Sequence, residues 1–273
     1  MQVSRSGYSH WRAQAQTRRA REEETLLRMI RCCHQQSRGT YGSPRIWQEC
    51  RAEGVRCSEN RIARIMRKYR ITARPLRRAV KTTDSAHGLP VAGNVVNRAF
   101  AVQQKNTVWS GDITYVWTDE GWMYLSVVID LFSRRVVGWS MRSTLERSLV
   151  IEALQQAIAD RRQGPGLVCH SDRGSQYASH EYQELIRNTG VVCSMSRKGD
   201  CYDNAPVESF FASLKLELVY RSRFETRAAA RAAIFEWIAV WYNRKRRHST
   251  LGYKSPEQFE WENQQPTATR QAA

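Results

Sequence analysis

Long apolar runs are absent from this sequence of 273 residues. No stretch of about 18 or more apolar residues occurs, which argues against a membrane-spanning helix. The N-terminal residues, MQVSRSGYSHWRAQ, also lack the apolar core of a secretory signal. We therefore expect a protein that makes no membrane contact and resides in the cytoplasm.

The sequence is also poor in cysteine motifs. Its 7 cysteines are odd in number, and no two of them form a Cys-x-x-Cys pair. Neither a disulfide framework nor a zinc ribbon is therefore indicated, and reduced thiols are the expected state.

Aromatic and aliphatic residues are not scarce, because hydrophobic residues make up 41% of the chain. That content predicts a folded core and excludes wholesale disorder.

Negative charge is scarce in the first part of the chain. Residues 1–105 contain 22 Lys and Arg against 7 Asp and Glu, whereas residues 106–273 contain 21 against 19. The planar guanidinium of arginine suits phosphate oxygens, and a block this basic usually contacts a polyanion. The charge therefore predicts nucleic-acid binding by the first part, without distinguishing DNA from RNA.

A small all-α domain is predicted over residues 22–72. Apolar residues at helical spacing indicate helices over 22–37, 44–53 and 59–70, and Ser58 is placed to cap the third. Three short helices with a tight turn before the last resemble a helix-turn-helix. Protein-binding modules share this pattern, and the positive charge favours the DNA-binding alternative.

The third predicted helix has two distinct faces. Ile62, Ile65, Met66 and Tyr69 are expected to point inward. The residues expected to contact DNA are Arg61, Arg64, Arg67 and Lys68. Around this domain we predict a basic N-terminal arm, a basic linker, a catalytic domain and a basic C-terminal tail, at residues 1–21, 73–105, 106–240 and 241–273.

From residue 106 the pattern becomes that of an α/β domain. Three apolar segments joined by short turns predict an antiparallel meander. The segments LVCHSD and VVCSMS predict two further strands, each reached through a helix. This order predicts a mixed five-stranded sheet with flanking helices, in which the later strands are parallel additions.

Three acidic residues of this domain lie in a strand, at a strand end and at a helix start that could bring them together. Asp112 lies inside the first strand, Asp172 lies at the end of the fourth, and Glu208 lies in the first turns of the following helix. If the first and fourth strands are neighbours, all three carboxylates converge at one edge of the sheet. A pair of divalent cations would relieve their repulsion and could activate a phosphodiester displacement. Each acid alone has a plainer interpretation, as a turn, cap or surface residue.

Three segments that contain these acids closely resemble the integrase-core transposases of bacterial insertion sequences. They are WSGDITY at 109–115, HSDRGSQY at 170–177 and GDCYDNAPVESFF at 199–211. The 35 residues at 173–207 separate Asp172 from Glu208, as in the Asp-Asp-35-Glu signature. The resemblance is to the second-frame (OrfB) product of a two-frame family within the retroviral-integrase-core superfamily, and it extends to YNRKRRHSTLGYKSPEQF near the C-terminus.

The resemblance implies a ribonuclease-H-like fold and a DDE-type polynucleotidyl transferase. Asp112, Asp172 and Glu208 would be both the catalytic residues and the ligands of two Mg²⁺ ions, for which Mn²⁺ can substitute. The implied reaction is metal-dependent 3′-end cleavage and strand transfer at insertion-sequence ends, of the copy-out–paste-in type.

The same resemblance implies partners. They are double-stranded DNA, as terminal repeats and as target, and further copies of the chain assembled on DNA in the bacterial nucleoid. The active protein of the family is usually a fusion with an upstream helix-turn-helix and zipper segment. An upstream-frame (OrfA) protein or fusion is therefore an expected partner.

Further basic residues near the acids are candidate DNA contacts. Lys215 is seven positions after Glu208 and therefore shares its helix face. The other candidates are Arg197, Lys198, Arg244, Arg246 and Arg247. Isolated basic residues are often merely solvated, so the sequence leaves that alternative open.

Several polar residues near the triad receive structural interpretations. Asn204 and Pro206 are predicted to be an N-cap and a first-turn proline that aim Glu208. His170 is expected to pack or hydrogen-bond rather than act as a base, and Asp130 to pair with Arg134. Asp200 and Asp203 are expected to be loop and capping residues.

Two other functions remain open at this stage. A ribonuclease-H-like nuclease or resolvase would share the triad without strand transfer, and would not need the basic front part. A non-catalytic DNA-binding regulator would have no use for three clustered acids.

Salt should weaken DNA binding steeply. The basic block at residues 1–105 predicts many phosphate contacts, and each contact releases counterions, so the logarithm of the association constant should fall linearly with the logarithm of salt concentration. On duplex DNA each phosphate contact contributes a slope of about −0.9. Fluorescence anisotropy with a labelled duplex measures this slope, and a salt-insensitive complex would remove the basic block from the interface.

Overall fold

The computed structural model describes residues 4–13, 18–73, 90–164, 166–197 and 201–264. The chain divides into two compact units, with the division after Pro75. The predicted division between a helical domain and an α/β domain therefore has a counterpart in the contacts of the chain. None of the described helices is both long and apolar enough to cross a membrane.

The first unit is helical. Its described helices are α1 (Arg5–Ala13), α2 (Arg18–Gln36), α3 (Ser43–Ala52) and α4 (Glu59–Lys68). The buried side chains come from α2, α3, α4 and the turn between α2 and α3; among them are Leu26, Leu27, Ile30, Tyr41, Ile46, Cys50, Ile62, Ile65 and Met66. These residues repeat at helical spacing in the sequence, so the core of this unit follows from the apolar pattern.

Ser58 caps α4 as expected, since its hydroxyl accepts from Arg61 N at 3.3 Å. Two other details of this unit differ from the sequence prediction. Tyr69, expected inside, lies beyond the end of α4 and is 37% exposed. Residues 5–13, predicted as part of an arm, form α1. Its segment RSGYSHWRA spaces Tyr8 and Trp11 three residues apart, which is too short an apolar repeat to distinguish a helix from an arm.

The second unit is built on one mixed sheet. Its strands are β1 (Val108–Thr118), β2 (Gly121–Asp130), β3 (Val136–Arg142), β4 (Val168–Ser171) and β5 (Val192–Met195). They lie in the order β3-β2-β1-β4-β5, with β1, β2 and β3 antiparallel and β4 and β5 added in parallel. The predicted ribonuclease-H-like arrangement of five strands is confirmed.

Helices cover both faces of this sheet. They are α5 (Arg147–Arg161), α6 (His180–Asn188), α7 (Ala205–Glu217), α8 (Arg227–Glu236) and α9 (Pro256–Gln264). Alternate residues of a strand point to opposite faces. Accordingly Trp109 joins the apolar core with α5 and α6, whereas its neighbour Ser110 bonds to Asn204 at the start of α7. Asp112 has the parity of Ser110 and belongs to the α7 face.

The segment predicted as a C-terminal tail is packed on the sheet as far as Gln264. Glu260 of α9 is 2% exposed, accepts from Ser133 Oγ at 2.7 Å, and pairs with Arg161 Nη2 at 2.7 Å. The same guanidinium pairs with Asp130 Oδ2 at 3.1 Å. The ion-pair partner of Asp130 is therefore Arg161 rather than the predicted Arg134, whose Nη2 donates to Phe100 O.

The end of the predicted linker also belongs to the second unit. Val95 N and Val96 N donate to Ser194 Oγ of β5 at 3.0 and 3.4 Å, and Met195 N donates to Gly93 O at 3.3 Å. Residues 93–96 therefore cover the free edge of β5. Residues 74–89, the rest of the predicted linker, lie outside the described residues.

Substitution of Gly138 should destabilise this unit. A β-carbon on Gly138 of β3 would lie 2.2 Å from Ala153 O and 2.9 Å from Ala157 Cβ of α5. We expect Gly138→Ala to lower the free energy of unfolding by about 3 kcal/mol, because overpacking forces strand and helix apart. Urea denaturation measures the loss. In the matched Gly164→Ala, no described atom lies within 4 Å of the new β-carbon, and a change of about 0.5 kcal/mol or less is expected. Equal losses in both variants would refute the close packing of β3 on α5.

Candidate active site

Asp112 and Asp172 are brought together by the parallel pairing of β1 with β4. Trp109 lies opposite Cys169, and Ser110 lies opposite His170. Continuing the same register by two residues puts Asp112 at the level of Asp172, immediately beyond the end of β4. In parallel neighbours, residues at one level point to the same face, so the two carboxylates converge.

Backbone amides orient both aspartates. Asp112 is half-buried, and its Oδ1 accepts from Ile113 N at 2.7 Å. Asp172 Oδ1 accepts from Gly174 N at 2.9 Å. A β-carbon on Gly174 would lie only 3.0 Å from that oxygen. Glycine at this position therefore lets the loop after β4 fold back on the Asp172 carboxylate.

Glu208 enters the site from α7. The helix begins after Asn204 and has Pro206 in its first turn, as predicted. The side chain of Asn204 makes no capping bond; it accepts from Ser110 Oγ at 2.5 Å and donates to Gly111 O at 3.3 Å. Asn204 therefore ties the start of α7 to the two residues that precede Asp112.

The electrostatics of Asp112 show that the three carboxylates interact. The pKa of Asp112 lies well above its ordinary value because its carboxyl group is desolvated and because Asp172 and then Glu208 repel its ionised form. The amide of Ile113 and the ammonium group of Lys215 oppose this shift only in part. The site therefore holds more negative charge than its own donors stabilise.

The donor set suits a divalent cation. Carboxylate oxygens are the ligands that Mg²⁺ prefers, and a cation would relieve the repulsion that raises the pKa of Asp112. Within the part of the chain that the structure describes, no three His, Cys, Asp or Glu side chains are already grouped to hold a metal. Glu208 is exposed, and its charge acts on Asp112.

Lys215 lies beside this group. Its Nζ is 5.0 Å from the ring centroid of Tyr115, and the side chain is half-buried. Desolvation lowers the pKa of Lys215, whereas the charge of Asp112 raises it. Lys215, which is predicted to share a helix face with Glu208, therefore lies where its ammonium group interacts with Asp112.

His170 is held inside the protein. Its Nδ1 lies 2.9 Å from Ser194 Oγ and its Nε2 lies 3.2 Å from Ser196 Oγ, and the residue has no exposed surface. Burial lowers its pKa. Both ring nitrogens are thus occupied by hydroxyl groups, in keeping with the predicted hydrogen-bonding role.

Tyr177 is a residue of the site that the sequence analysis did not single out. Its ring packs edge-on against Tyr182 at 5.3 Å, and its hydroxyl would lie 3.6 Å from a β-carbon on Gly111. Burial raises the pKa of Tyr177, and the charges of Asp112 and Asp172 raise it further. Its place in the HSDRGSQY motif, five residues after Asp172, was the available signal.

The basic residues predicted on α4 differ in their surroundings. Arg64 and Arg67 are exposed. Arg61 is partly buried, with Nη2 3.5 Å from Glu22 Oε2, and Lys68 Nζ lies 2.5 Å from Glu23 Oε1. The ion pair with Lys68 lowers the pKa of Glu23. Acids of α2 thus neutralise part of the basic face of α4.

The basic residues predicted in the second unit also divide into two groups. Arg244 is exposed, with Nε 3.6 Å from Glu257, and Arg247 Nη1 donates to Tyr253 O at 3.0 Å. Arg246 is 6% exposed, and its guanidinium pairs with Glu217 at 2.8 Å. A guanidinium that is buried against a carboxylate does not face DNA. Arg246, which was predicted to contact DNA, therefore has a structural role instead.

Asp203 has a larger role than the predicted cap. Its carboxylate is completely buried and pairs with Arg197 Nη2 at 2.8 Å and Arg98 Nε at 2.9 Å. Hydrogen bonds from Arg197, chiefly, hold the pKa of Asp203 far below its ordinary value. Arg197, expected to contact DNA, is therefore committed to a carboxylate. Lys198 and Asp200 lie outside the described residues.

Three ranges of the chain match known protein families. Residues 102–201 and 189–256 match two families described as integrase core domains, and residues 20–79 match an HTH-like domain. The matched ranges contain nearly all of α2, α3 and α4 of the first unit and the whole sheet of the second unit.

Similar sequences cover nearly the whole chain. The uncharacterized 31 kDa protein of insertion element IS600 from Shigella sonnei is 41% identical over 257 residues, which are 94% of this chain and 94% of that protein. Transposase InsF for insertion sequence IS3A from Escherichia coli (strain K12) is 42% identical over 266 residues, which are 96% of this chain and 92% of InsF.

A solved structure shares the fold. It is a chain of the simian T-cell lymphotropic virus intasome in complex with PP2A regulatory subunit B56 gamma, with a TM-score of 0.51 and 17% sequence identity. The superposition covers 89% of this chain and 75% of that chain. At this identity the likeness shows the fold alone.

Neutralising Asp112 should stabilise the metal-free protein. Because the pKa of Asp112 is raised on folding, its ionisation costs stability as pH rises from the ordinary carboxyl range through the folded-state pKa. We expect Asp112→Asn in EDTA at pH 7 to melt about 2–4 °C above the unaltered protein, with the difference vanishing near about pH 4.

Thermal melts with and without Mg²⁺ check this expectation. Added Mg²⁺ should raise the melting temperature of the unaltered protein but not that of Asp112→Asn. The control is Asp119→Asn, which removes an exposed carboxylate that pairs with Arg223 at the surface. A gain of the same size in the control would show that general charge, rather than repulsion inside the site, sets the stability.

Proposed function

Because the chain belongs to the family of integrase-core transposases that includes the IS3 proteins of Escherichia coli, and is thus a polynucleotidyl transferase, we propose that it cuts and joins DNA at the ends of an insertion sequence. In this proposal the protein frees a 3′ end at an element terminus and transfers that strand to a new phosphodiester. The observation that carries it is the parallel pairing of β1 with β4, whose register puts Asp112 and Asp172 at one level, and the charge of Glu208 acts on Asp112 from α7.

Each acidic residue has a defined part in the proposal. Asp112 and Asp172, held by the amides of Ile113 and Gly174, would bind divalent cations from the sheet, and Glu208 would complete the ligand set from α7. Two Mg²⁺ ions, or Mn²⁺ in their place, would when bound activate the attacking oxygen and stabilise the leaving one. Lys215 would hold a phosphate next to these carboxylates.

The basic residues divide the work of DNA binding. The exposed Arg64 and Arg67 of α4, with Arg61 and Lys68, would contact element ends through the HTH-like unit. Arg244 and Arg247 would contact the DNA backbone near the catalytic unit. Lys198 remains a candidate DNA contact on the sequence alone, whereas Arg197 acts through Asp203.

The family suggests the wider course of the reaction. We propose a copy-out–paste-in sequence, in which cleavage at one end is followed by attack near the other end and later by integration. Two DNA ends must be handled together, so we propose that several copies of the chain assemble on DNA in the nucleoid. An upstream-frame (OrfA) protein or fusion would assist recognition of the terminal repeats.

Labelled duplexes with the terminal repeats of the encoding element test this function. With Mg²⁺, we expect nicks at the repeat tips and longer joined strands on a denaturing gel. Glu208→Gln and Asp172→Asn should lower product formation by at least about a hundredfold, because each removes a cation ligand. DNA affinity should remain unchanged or rise, since the repulsion between carboxylate and phosphate is reduced.

The controls separate this function from its alternatives. Cleavage without joining, or without preference for the repeats, would indicate a nuclease. Absence of both products, also with the upstream-frame segment fused on, together with retained DNA binding would indicate a regulator. A duplex with scrambled repeats distinguishes end recognition from general affinity for DNA.

A further inference from the structure

One buried carboxylate gathers donors from distant parts of the second unit. Asp203 accepts from Asn94 Nδ2 at 2.9 Å, from Arg98 Nε at 2.9 Å, and from Arg197 through its backbone N, Nε and Nη2 at 2.9, 3.0 and 2.8 Å. Asn94 and Arg98 precede β1, whereas Arg197 follows β5. The carboxylate therefore connects the end of the predicted linker with the loop after the last strand.

Asp203 stands at the entrance of α7. It belongs to the short 3₁₀ turn Cys201–Asn204, and α7 starts at Ala205. The next residue, Asn204, is bonded to Ser110 Oγ and Gly111 O of β1. Two adjacent side chains thus fix the start of α7. Asp203 connects it to the segments before β1 and after β5, and Asn204 connects it to β1, the strand that carries Asp112.

Glu208 depends on this attachment through the geometry of the helix. It follows Asn204 by four residues, which is about one turn of the helix that starts at Ala205. A helix moves as a rigid element over one turn. Any displacement of Asp203 and Asn204 is therefore transmitted to Glu208.

We propose that Arg98 is a positioning residue for the catalytic carboxylate Glu208: by holding Asp203 it fixes the first turn of α7 and keeps Glu208 within reach of Asp112 and Asp172. The proposal rests on the function proposed above. Arg98 acts without touching the reacting atoms, and it does so from the segment before β1. Arg197 supplies the second cation to Asp203, so removal of Arg98 loosens the attachment without leaving the buried charge wholly uncompensated.

Binding of Mn²⁺ in the absence of DNA tests this role. Titration of the full chain, followed by the electron paramagnetic resonance of free Mn²⁺, measures cation affinity independently of the reaction. We expect Arg98→Ala to weaken Mn²⁺ binding about tenfold, because residues that orient metal ligands typically have effects of this size. Arg98→Lys should restore part of the affinity, since it keeps a cation near Asp203.

The matched control is Arg223→Ala. Arg223 makes an Arg–Asp contact of similar length, with Nε 3.0 Å from Asp119, which lies in the turn between β1 and β2. The side chain of Arg223 is 83% exposed. Its loss should leave Mn²⁺ affinity unchanged. If Arg98→Ala does not fold, Asn94→Ala removes one neutral hydrogen bond to the same carboxylate and should give a smaller loss in the same direction.

A double variant shows whether Arg98 acts through Glu208. In a Glu208→Gln background, Arg98→Ala should cause no further loss of Mn²⁺ affinity, because the ligand that Arg98 positions is already gone. Equal losses in both backgrounds, or a fall in melting temperature without a change in affinity, would overturn the proposal. If the cycle behaves as expected but no DNA is cut or joined, the positioning role stands and the proposed function fails.

Discussion

Parallel pairing of β1 with β4 is the contact on which the proposed chemistry of this protein depends. Three backbone pairs, from Val108–Val168 to Ser110–His170, align the strands so that Asp112 and Asp172 come to one level. β4 then ends, which leaves the edge of β1 open beside both carboxylates. The helical crossovers that place β4 and β5 next to β1 are therefore needed for the site as well as for the core.

Ionisation of Asp112 is unfavourable in the folded protein. Desolvation, and then repulsion by Asp172 and Glu208, raise its pKa, so the ionised carboxyl group costs stability when no cation is bound. Polar contacts at the margin of the site hold the fold there: Asn204 bonds to β1, and Asp203 pairs with two arginines. Strong polar contacts thus surround three carboxylates, whose oxygens are the ligands that divalent cations prefer.

Much of the positive charge in the second unit has a structural use. Arg161 bridges Asp130 and Glu260, Arg246 is buried against Glu217, and Arg197 is bound to Asp203. These pairs attach α9 and the residues after α8 to the sheet domain and fix the start of α7. Arg244, by contrast, is exposed. Charge alone therefore does not tell which basic residues of this unit face the solvent.

The sequence by itself determined the order of the five strands and of the helices α2 to α7, the two faces of α4 and the three acidic positions, because apolar periodicity and local motifs are properties of neighbouring residues. Only the tertiary structure decided that Arg246 is buried, that Arg161 rather than Arg134 pairs with Asp130, and that Asp203 unites Arg98 with Arg197. Those partners lie from six to more than a hundred residues apart in the chain. An arginine has the same local pattern whether it meets solvent, DNA or a buried carboxylate, and only the packing of distant segments selects among them.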